Sequence, residues 1–173
     1  QHHTVPPPEV MALVGFNHLL IDKAGHSKYP ALQKTHTGVA IDFSGMGAGY
    51  AVDQIGEYLV SLGSTAHLVE LGGEVRAWGQ PSLIEEWHVA LRTTETEPAE
   101  IITLQHGQAV AASTSVRGKR VVNPTTGEVV KLPSRAPAVV VYATTCAEAD
   151  ALATTHVLDG IRNETQISLP AME

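Results

Sequence analysis

The stretch that most constrains the fold is residues 38–63, GVAIDFSGMGAGYAVDQIGEYLVSLG. It predicts a short buried strand at 39–43, a glycine-rich turn at 44–49 and a helix at 50–62 that ends at Gly63. Glycine lets the backbone approach a ligand, and a helix start presents free N–H groups and the positive end of its dipole. The stretch therefore predicts an anion site, with Asp42 at the end of the strand where ligand-binding side chains tend to lie.

The helix prediction rests on a single apolar stripe and on the polar residues beside it. Residues on the stripe are Ala51, Val52, Ile55, Tyr58, Leu59 and Leu62, and those off it are Asp53, Gln54, Glu57 and Ser61.

The glycine spacing of the turn leaves two interpretations open. Gly45, Gly47 and Gly49 resemble a dinucleotide-binding fingerprint, but Tyr50 stands where the third glycine of G-x-G-x-x-G is needed. A tight strand-to-helix connection with no ligand is the other interpretation.

Composition excludes some classes of function. The chain has 173 residues and a net charge of −7, which argues against nucleic-acid binding driven by phosphate neutralisation. No apolar run approaches the length of a membrane span. Cys146 is the only cysteine, so an internal disulfide is excluded.

The remaining chain alternates strand and turn signals. Strands are predicted at 16–22, 67–71, 74–78, 87–92, 101–104, 109–112 and 138–143, with a loop at 28–37. Gly72 and Gly73 are expected to bend a strand between 67 and 78. With two helices, this pattern predicts an α/β (α+β) protein in which helices pack on a mixed β-sheet in one domain.

A second helix is predicted at 146–158. Thr145 and Glu148 match a capping box at its start. Asp150 and Thr154 are spaced i, i+4, so their oxygens lie one turn apart on the same face. A carboxylate and a hydroxyl placed in this way can hold a hard cation such as Mg²⁺, and a solvent-facing polar pair is the alternative.

Four segments together resemble the ApbE-type FAD:protein FMN transferases. They are DFSGMGAGYAVD at 42–53, LVELGGEV at 68–75, VVNPTTG at 121–127 and TCAEADALAT at 145–154, in the family's order. The resemblance implies a T-fold-like core at 12–160, preceded by an extended lead-in at 1–11 and followed by a tail at 161–173.

The resemblance also implies a reaction. Members of this family cleave the pyrophosphate of FAD with Mg²⁺ and attach FMN to a threonine or serine of an acceptor protein. By position, the metal ligands implied here are Asp150, Thr154 and the backbone carbonyls of Gly45 and Ala153. FAD and the acceptor protein are the implied partners, in the cell envelope or the cytoplasm.

Other positions match the family's flavin contacts. Asp42 resembles a flavin contact, and Val122 stands where a backbone contact to FAD is expected. Gly47 and Gly49 lie in the same glycine-rich turn, and Ala48 replaces a residue that is usually charged.

One motif departs from the family pattern. Where His-Ile-Ile-Asp-Pro-x-Thr-Gly is usual, this chain has Arg120 at the histidine and Asn123 at the aspartate. The histidine is the family's candidate base, and a guanidinium cannot replace it because it stays protonated. Arg120 can still bind phosphate.

Two alternatives to the transferase remain. The loss of the motif histidine allows a non-catalytic FAD- or nucleotide-binding remnant of the same fold, and the glycine turn allows an NAD-type oxidoreductase.

Overall fold

The computed structural model describes residues 5–22, 31–82, 85–91, 98–113, 122–130, 139–158 and 167–168. They belong to two compact units, which are described separately. The first comprises Gln1–Asp42 and Val122–Val130, and the second comprises Phe43–Val121 and Lys131–Glu173. The domain limits predicted at 11 and 160 stay predictions.

Within the described residues of the first unit, a short helix lies at 8–11, in the segment where the sequence predicts an extended lead-in. Helix α1 (Pro8–Met11) starts with proline at a position where the missing N–H costs nothing. A 3₁₀ turn (Phe16–His18) leads into strand β1 (Leu19–Asp22), which pairs antiparallel with β2 (Ala31–Lys34). The loop prediction at 28–37 was therefore wrong for residues 31–34.

The predicted strand at 39–43 is also wrong, because these residues have no strand conformation. Val39 is buried, but residues 40–43 are exposed. The carbonyl of Val39 accepts a hydrogen bond from Lys34 Nζ at 2.7 Å, so a side chain takes a position that a neighbouring strand would fill. Asp42 thus follows an irregular segment.

The second unit is built on a mixed sheet, as the sequence predicts. Strands β3 (His67–Leu71) and β4 (Glu74–Trp78) form a hairpin, as do β5 (Trp87–Leu91) and β6 (Glu100–Leu104). Strands β7 (Ala109–Ser113), β8 (Val139–Ala143) and β9 (Ile167–Ser168) complete a five-stranded sheet of order β3-β4-β7-β8-β9. Its pairs are antiparallel except β8 with β9.

Gly72 and Gly73 turn the chain rather than bend a strand. Both have positive φ, 72° and 114°, which glycine adopts without a Cβ penalty. They connect β3 and β4 in a two-residue hairpin, as their position between directly paired Leu71 and Glu74 shows.

Two helices cover one face of the five-stranded sheet. They are α2 (Gly47–Ser61) and α3 (Cys146–Leu158), which pack with Val69, Trp78 and Val141. The other face, with Val75 and Val110, packs against the β5–β6 hairpin through residues such as Leu104. The alternation of β4 side chains between two apolar layers explains why this strand is buried on both faces. Among the described residues, every helix is too short or too polar to cross a membrane.

The buried face of α2 differs from the predicted apolar stripe. Gly49, Val52, Asp53 and Gly56 are buried, whereas Tyr58 and Leu62 are 64% and 66% exposed. These buried positions also follow helical spacing, but only Val52 among them is a larger apolar residue, and the others are glycines or the hydrogen-bonded Asp53. Close packing against α3 and the Trp78 ring selects them, since a Cβ on Gly56 would overlap that ring.

Candidate functional site

The glycine-rich turn is shorter than predicted, and the helix starts earlier. Met46 N–H donates to the Phe43 carbonyl at 3.0 Å, and the first helical bond runs from Tyr50 N–H to Met46 at 2.9 Å. Gly47, Ala48 and Gly49 therefore form the first turn of α2. Met46, the residue before the helix, provides no side-chain cap, so the N–H groups of Gly47 and Ala48 point out of the helix without an intrahelical partner.

The start of α2 lies directly against α3. Gly49 N–H donates to Asp150 Oδ2 at 3.1 Å, in a buried position. A Cβ on Gly49 would overlap the carbonyl oxygen of Cys146 and lie 2.8 Å from Ala147 N. The two helix backbones are thus in contact here, and only glycine leaves room for this approach.

The turn also lies beside the next turn of α3, where Thr154 is half-buried. A Cβ on Gly45 would lie 3.4 Å from Thr154 Cγ2 and 3.7 Å from Thr154 Oγ1. Ala153, beside it on the helix, is buried in the core and anchors this part of α3. Gly45, Asp150 and Thr154, predicted from distant parts of the sequence, are therefore brought together where α2 begins.

The chemistry of this group suits magnesium. Its members offer a carboxylate, a hydroxyl and backbone carbonyls, the hard oxygen ligands that Mg²⁺ prefers. Across the described ranges, no group of three or more His, Cys, Asp and Glu side chains is arranged to hold a metal ion. The residues of this corner thus fit Mg²⁺ completed by substrate oxygens and water, and not a closed site for a soft metal.

The first unit contains the other predicted flavin contacts, Asp42 and Val122. Asp42 lines a pocket of about 380 Å³ whose walls come from residues 10–19 and 38–42, among them Leu13, Phe16 and Ile41. The lining is mainly apolar and includes one carboxylate, a combination that small-molecule sites in proteins often have.

Val122 pairs with Val129 in an isolated bridge that closes a turn. Asn123 Oδ1 accepts hydrogen bonds in this turn from the N–H groups of Thr125 at 2.8 Å and Thr126 at 3.3 Å. Its amide oxygen is therefore used to hold the turn, as an aspartate oxygen would be. Arg120, at the family's histidine position, lies outside the described residues.

Asp53 and Arg76 are important residues that sequence reasoning missed. Asp53 Oδ1 accepts from Arg76 Nη1 at 2.7 Å, and both carboxylate oxygens reach the N-terminus of α3. The sequence feature that could have revealed this pair is an arginine within the buried β4 segment, because a charged side chain in such a strand needs a partner of opposite charge. Nothing in the spacing identifies Asp53 as that partner.

Cys146 is not a nucleophile of this site. Its side chain is fully buried, and burial raises the pKa of the thiol, with the negative charges of Asp53, Glu74 and Asp150 acting in the same direction. The thiolate needed for nucleophilic attack is therefore scarce at neutral pH.

Sequence and structure comparisons place this geometry among known proteins. The model of the ApbE family matches residues 3–168. The FAD:protein FMN transferase of Salmonella typhimurium is 33% identical over 151 residues, which are 80% of this chain and 42% of the relative. The enzyme of the same name from Escherichia coli K12 is 30% identical over 151 residues, 81% of this chain and 42% of the relative.

Solved structures give the same result for the fold. The apo form of Pseudomonas stutzeri flavinyl transferase ApbE superposes with a TM-score of 0.71 at 28% identity, covering 91% of this chain and 50% of the other. The flavin transferase ApbE from Vibrio cholerae superposes with a TM-score of 0.69 at 28% identity, covering 91% of this chain and 52% of the other. The chain thus spans about half the length of the relatives it matches.

Proposed function

The chain belongs to the ApbE family, and on that premise we propose that it takes part in Mg²⁺-dependent transfer of FMN from FAD to a serine or threonine of an acceptor protein. The observation that carries the proposal is the meeting of the Gly45 turn and the Gly49 amide with Thr154 and Asp150. These residues are about 100 positions apart in sequence, and the same ones fit a magnesium site.

The metal would be held at this corner by the Asp150 carboxylate, the Thr154 hydroxyl and the carbonyls of Gly45 and Ala153. When bound, Mg²⁺ would neutralise charge on the pyrophosphate oxygens of FAD. The hydrogen bond from Gly49 N–H fixes Asp150 in one orientation, so the carboxylate is preorganised for the ion.

The first turn of α2 supplies the groups for the diphosphate. The N–H groups of Gly47 and Ala48 lie at the positive end of the helix dipole, where phosphate is stabilised. Ala48 adds no charge of its own, so binding at this position depends on backbone donors. A Cβ on Gly47 would meet nothing within 4 Å, which leaves its surroundings open to a ligand.

Asp42, which lines the pocket of the first unit, is proposed to contact the flavin ring. The pocket's apolar walls suit the ring, and its carboxylate can accept a hydrogen bond from a ring N–H. Val122 is assigned a backbone contact to FAD.

A second candidate function is FAD binding without transfer. Transfer requires that the acceptor hydroxyl lose its proton, and Arg120 cannot accept one because its guanidinium stays protonated. The replacement of the family's histidine therefore favours this candidate. An NAD-type oxidoreductase needs an acid after the second strand to bind the ribose, and Glu70 lies at about the right distance in sequence. Glu70 instead accepts a hydrogen bond from Gly73 N–H in the β3–β4 turn, so it does not support this function.

Adjacent threonines on α3 provide a matched test of the metal site. Thr154 faces the Gly45 turn, whereas Thr155 is exposed and its hydroxyl donates to the Ala151 carbonyl at 2.8 Å. Thr154→Val and Thr155→Val remove one hydroxyl each at constant shape. We expect Thr154→Val to weaken Mg²⁺ binding in the presence of FAD by about tenfold or more, because a hydroxyl ligand is lost. Thr155→Val should behave like the wild type.

The assay combines the protein with FAD, Mg²⁺ and a flavinylation-competent acceptor. Flavin fluorescence of the acceptor in a denaturing gel, together with AMP release, would support the transferase. FAD binding without AMP or FMN release would support the second candidate. Tight NAD binding with no metal dependence would contradict the transferase and favour the oxidoreductase. Equal Mg²⁺ affinity in both valine variants would contradict the proposed metal site.

A further inference from the structure

The N-terminus of α3 is capped by a side chain from another helix. Asp53 on α2 accepts hydrogen bonds from Cys146 N–H and Ala147 N–H, both at 2.9 Å. The local cap is a single described bond, which Thr145 Oγ1 accepts from Glu148 N–H at 3.3 Å. Two of the three leading N–H groups of α3 are therefore satisfied from 93 and 94 residues away.

Among the described residues, Asp53 forms one of two hydrogen-bonded links between the helices. The other link is the bond from Gly49 N–H to Asp150 Oδ2. Gly49 and Asp53 are one turn apart on α2, and Cys146 and Asp150 are one turn apart on α3. The links thus join successive turns of two helices that run in opposite directions.

Apolar packing alone is a poor determinant of the axial position of α3. In its first two turns and at Ala153, its buried face consists of small side chains, including Cys146 and Ala149, and it meets Gly49 on α2, while the larger Val157 is buried at the far end of the helix. Small residues permit close approach, but they interlock less than large ones do. Hydrogen bonds of defined direction are therefore the more specific determinant of position near the start of α3.

From these contacts we infer that Asp53 is a positioning residue that fixes the register of α3 against α2 and so sets Asp150 and Thr154 opposite the Gly45 turn. The link to metal binding rests on the proposed function, and the register itself does not. Arg76 completes the arrangement, because it pairs with the buried carboxylate at 2.7 Å while its guanidinium lies 4.7 Å from the centre of the Trp78 ring.

Two substitutions separate register from simple capping. Asp53→Glu keeps the charge and both acceptor oxygens but lengthens the side chain by one methylene, so α3 must shift to stay capped. Asp53→Asn keeps the length but loses the charge and one acceptor. Glu57→Gln is the control, since Glu57 lies one turn further along α2, 3.9 Å from Arg76 and 58% exposed.

Amide hydrogen exchange, measured by NMR without metal or flavin, reports the register directly. We expect the Gly49 amide to exchange about tenfold faster in both Asp53 variants, because its bond to Asp150 depends on register. In Asp53→Glu the Cys146 and Ala147 amides stay protected, and Glu57→Gln changes none of these rates. If Gly49 keeps its wild-type rate in either folded Asp53 variant, Asp53 only caps the helix and the inference is wrong.

Titration with Mg²⁺ in the presence of FAD then connects register to the site. Both Asp53 variants should lose about tenfold or more in Mg²⁺ affinity while binding FAD without metal as the wild type does. If the wild type binds no Mg²⁺ but the exchange result holds, the proposed function fails and the register role stands. If the exchange result holds and Mg²⁺ affinity is unchanged, Asp53 sets the register without positioning the metal ligands, and that part of the inference falls.

Discussion

Helices α2 and α3 begin in opposite ways, although both follow a turn and cover the same sheet face. At the start of α3, Asp53 accepts from the N–H groups of Cys146 and Ala147, and Thr145 accepts from that of Glu148. At the start of α2, Asp150 accepts from Gly49 N–H, and no described side chain caps the N–H groups of Gly47 and Ala48. An N–H group that already has an acceptor is not available to a foreign anion. Under the proposed function, the N–H groups of Gly47 and Ala48 would therefore bind phosphate, and α3 would contribute side-chain oxygens.

The glycines at the start of α2 differ in their surroundings. A Cβ on Gly47 would meet nothing within 4 Å, whereas Gly49 allows the close contact with α3. Under the proposed function, the N–H groups of Gly47 and Ala48 would bind phosphate oxygens, and Asp150 and Thr154 would hold a cation nearby.

The largest effect should come from closing the gap between the helices. Gly49→Ala places a Cβ against the Cys146 carbonyl and is expected to lower the free energy of unfolding by about 3 kcal/mol or more. Gly47→Ala, where nothing lies within 4 Å, should change it by about 1 kcal/mol or less. Urea denaturation measures both, and equal values for the two variants would show that the helices are not in close contact.

A smaller effect should show that the start of α3 is closed. Because the Cys146 thiol is buried and its pKa is raised, we expect a thiol-specific disulfide reagent to label it about a hundredfold more slowly in the native protein than in urea. Labelling at the rate of the unfolded chain at neutral pH would indicate an open α3 N-terminus and would remove the contrast with α2.

The smallest effect concerns the open start of α2. Inorganic pyrophosphate with Mg²⁺ should slow exchange of the Gly47 and Ala48 amides about threefold, because these N–H groups gain acceptors. The Cys146 and Ala147 amides, already bonded to Asp53, should not respond. Protection of both pairs, or of neither, would contradict the division between the helices.

The sequence predicted much of the fold because the relevant signals were local. Helices α2 and α3, the turn at Asn123 and most strands of the second unit follow from periodicity, capping residues and glycine. The failures at 31–34 and 39–43 are segments where pairing with another strand, or its absence, decided the conformation rather than propensity.

The candidate site was predicted in parts. Asp150 and Thr154 stood out by their helical spacing, and the glycine turn by its composition. Their meeting could not be derived from spacing, because no local rule relates residue 49 to residue 150. Asp53 was grouped with the polar side of α2, since an acid is rarely buried without partners. Those partners, Arg76 and the N-terminus of α3, come from remote parts of the chain.

By itself, the sequence indicated helices α2 and α3, most strands of the second unit, and the oxygens and amide groups that are proposed to serve a magnesium ion and a diphosphate. Only the tertiary structure decided which face of α2 is buried, which leading N–H groups are already bonded, and that Gly45 lies beside Thr154. The physical reason is that periodicity reports how apolar a face is. Burial here depends on close backbone contact and on hydrogen bonds, which small and charged residues provide only when their partners are in place.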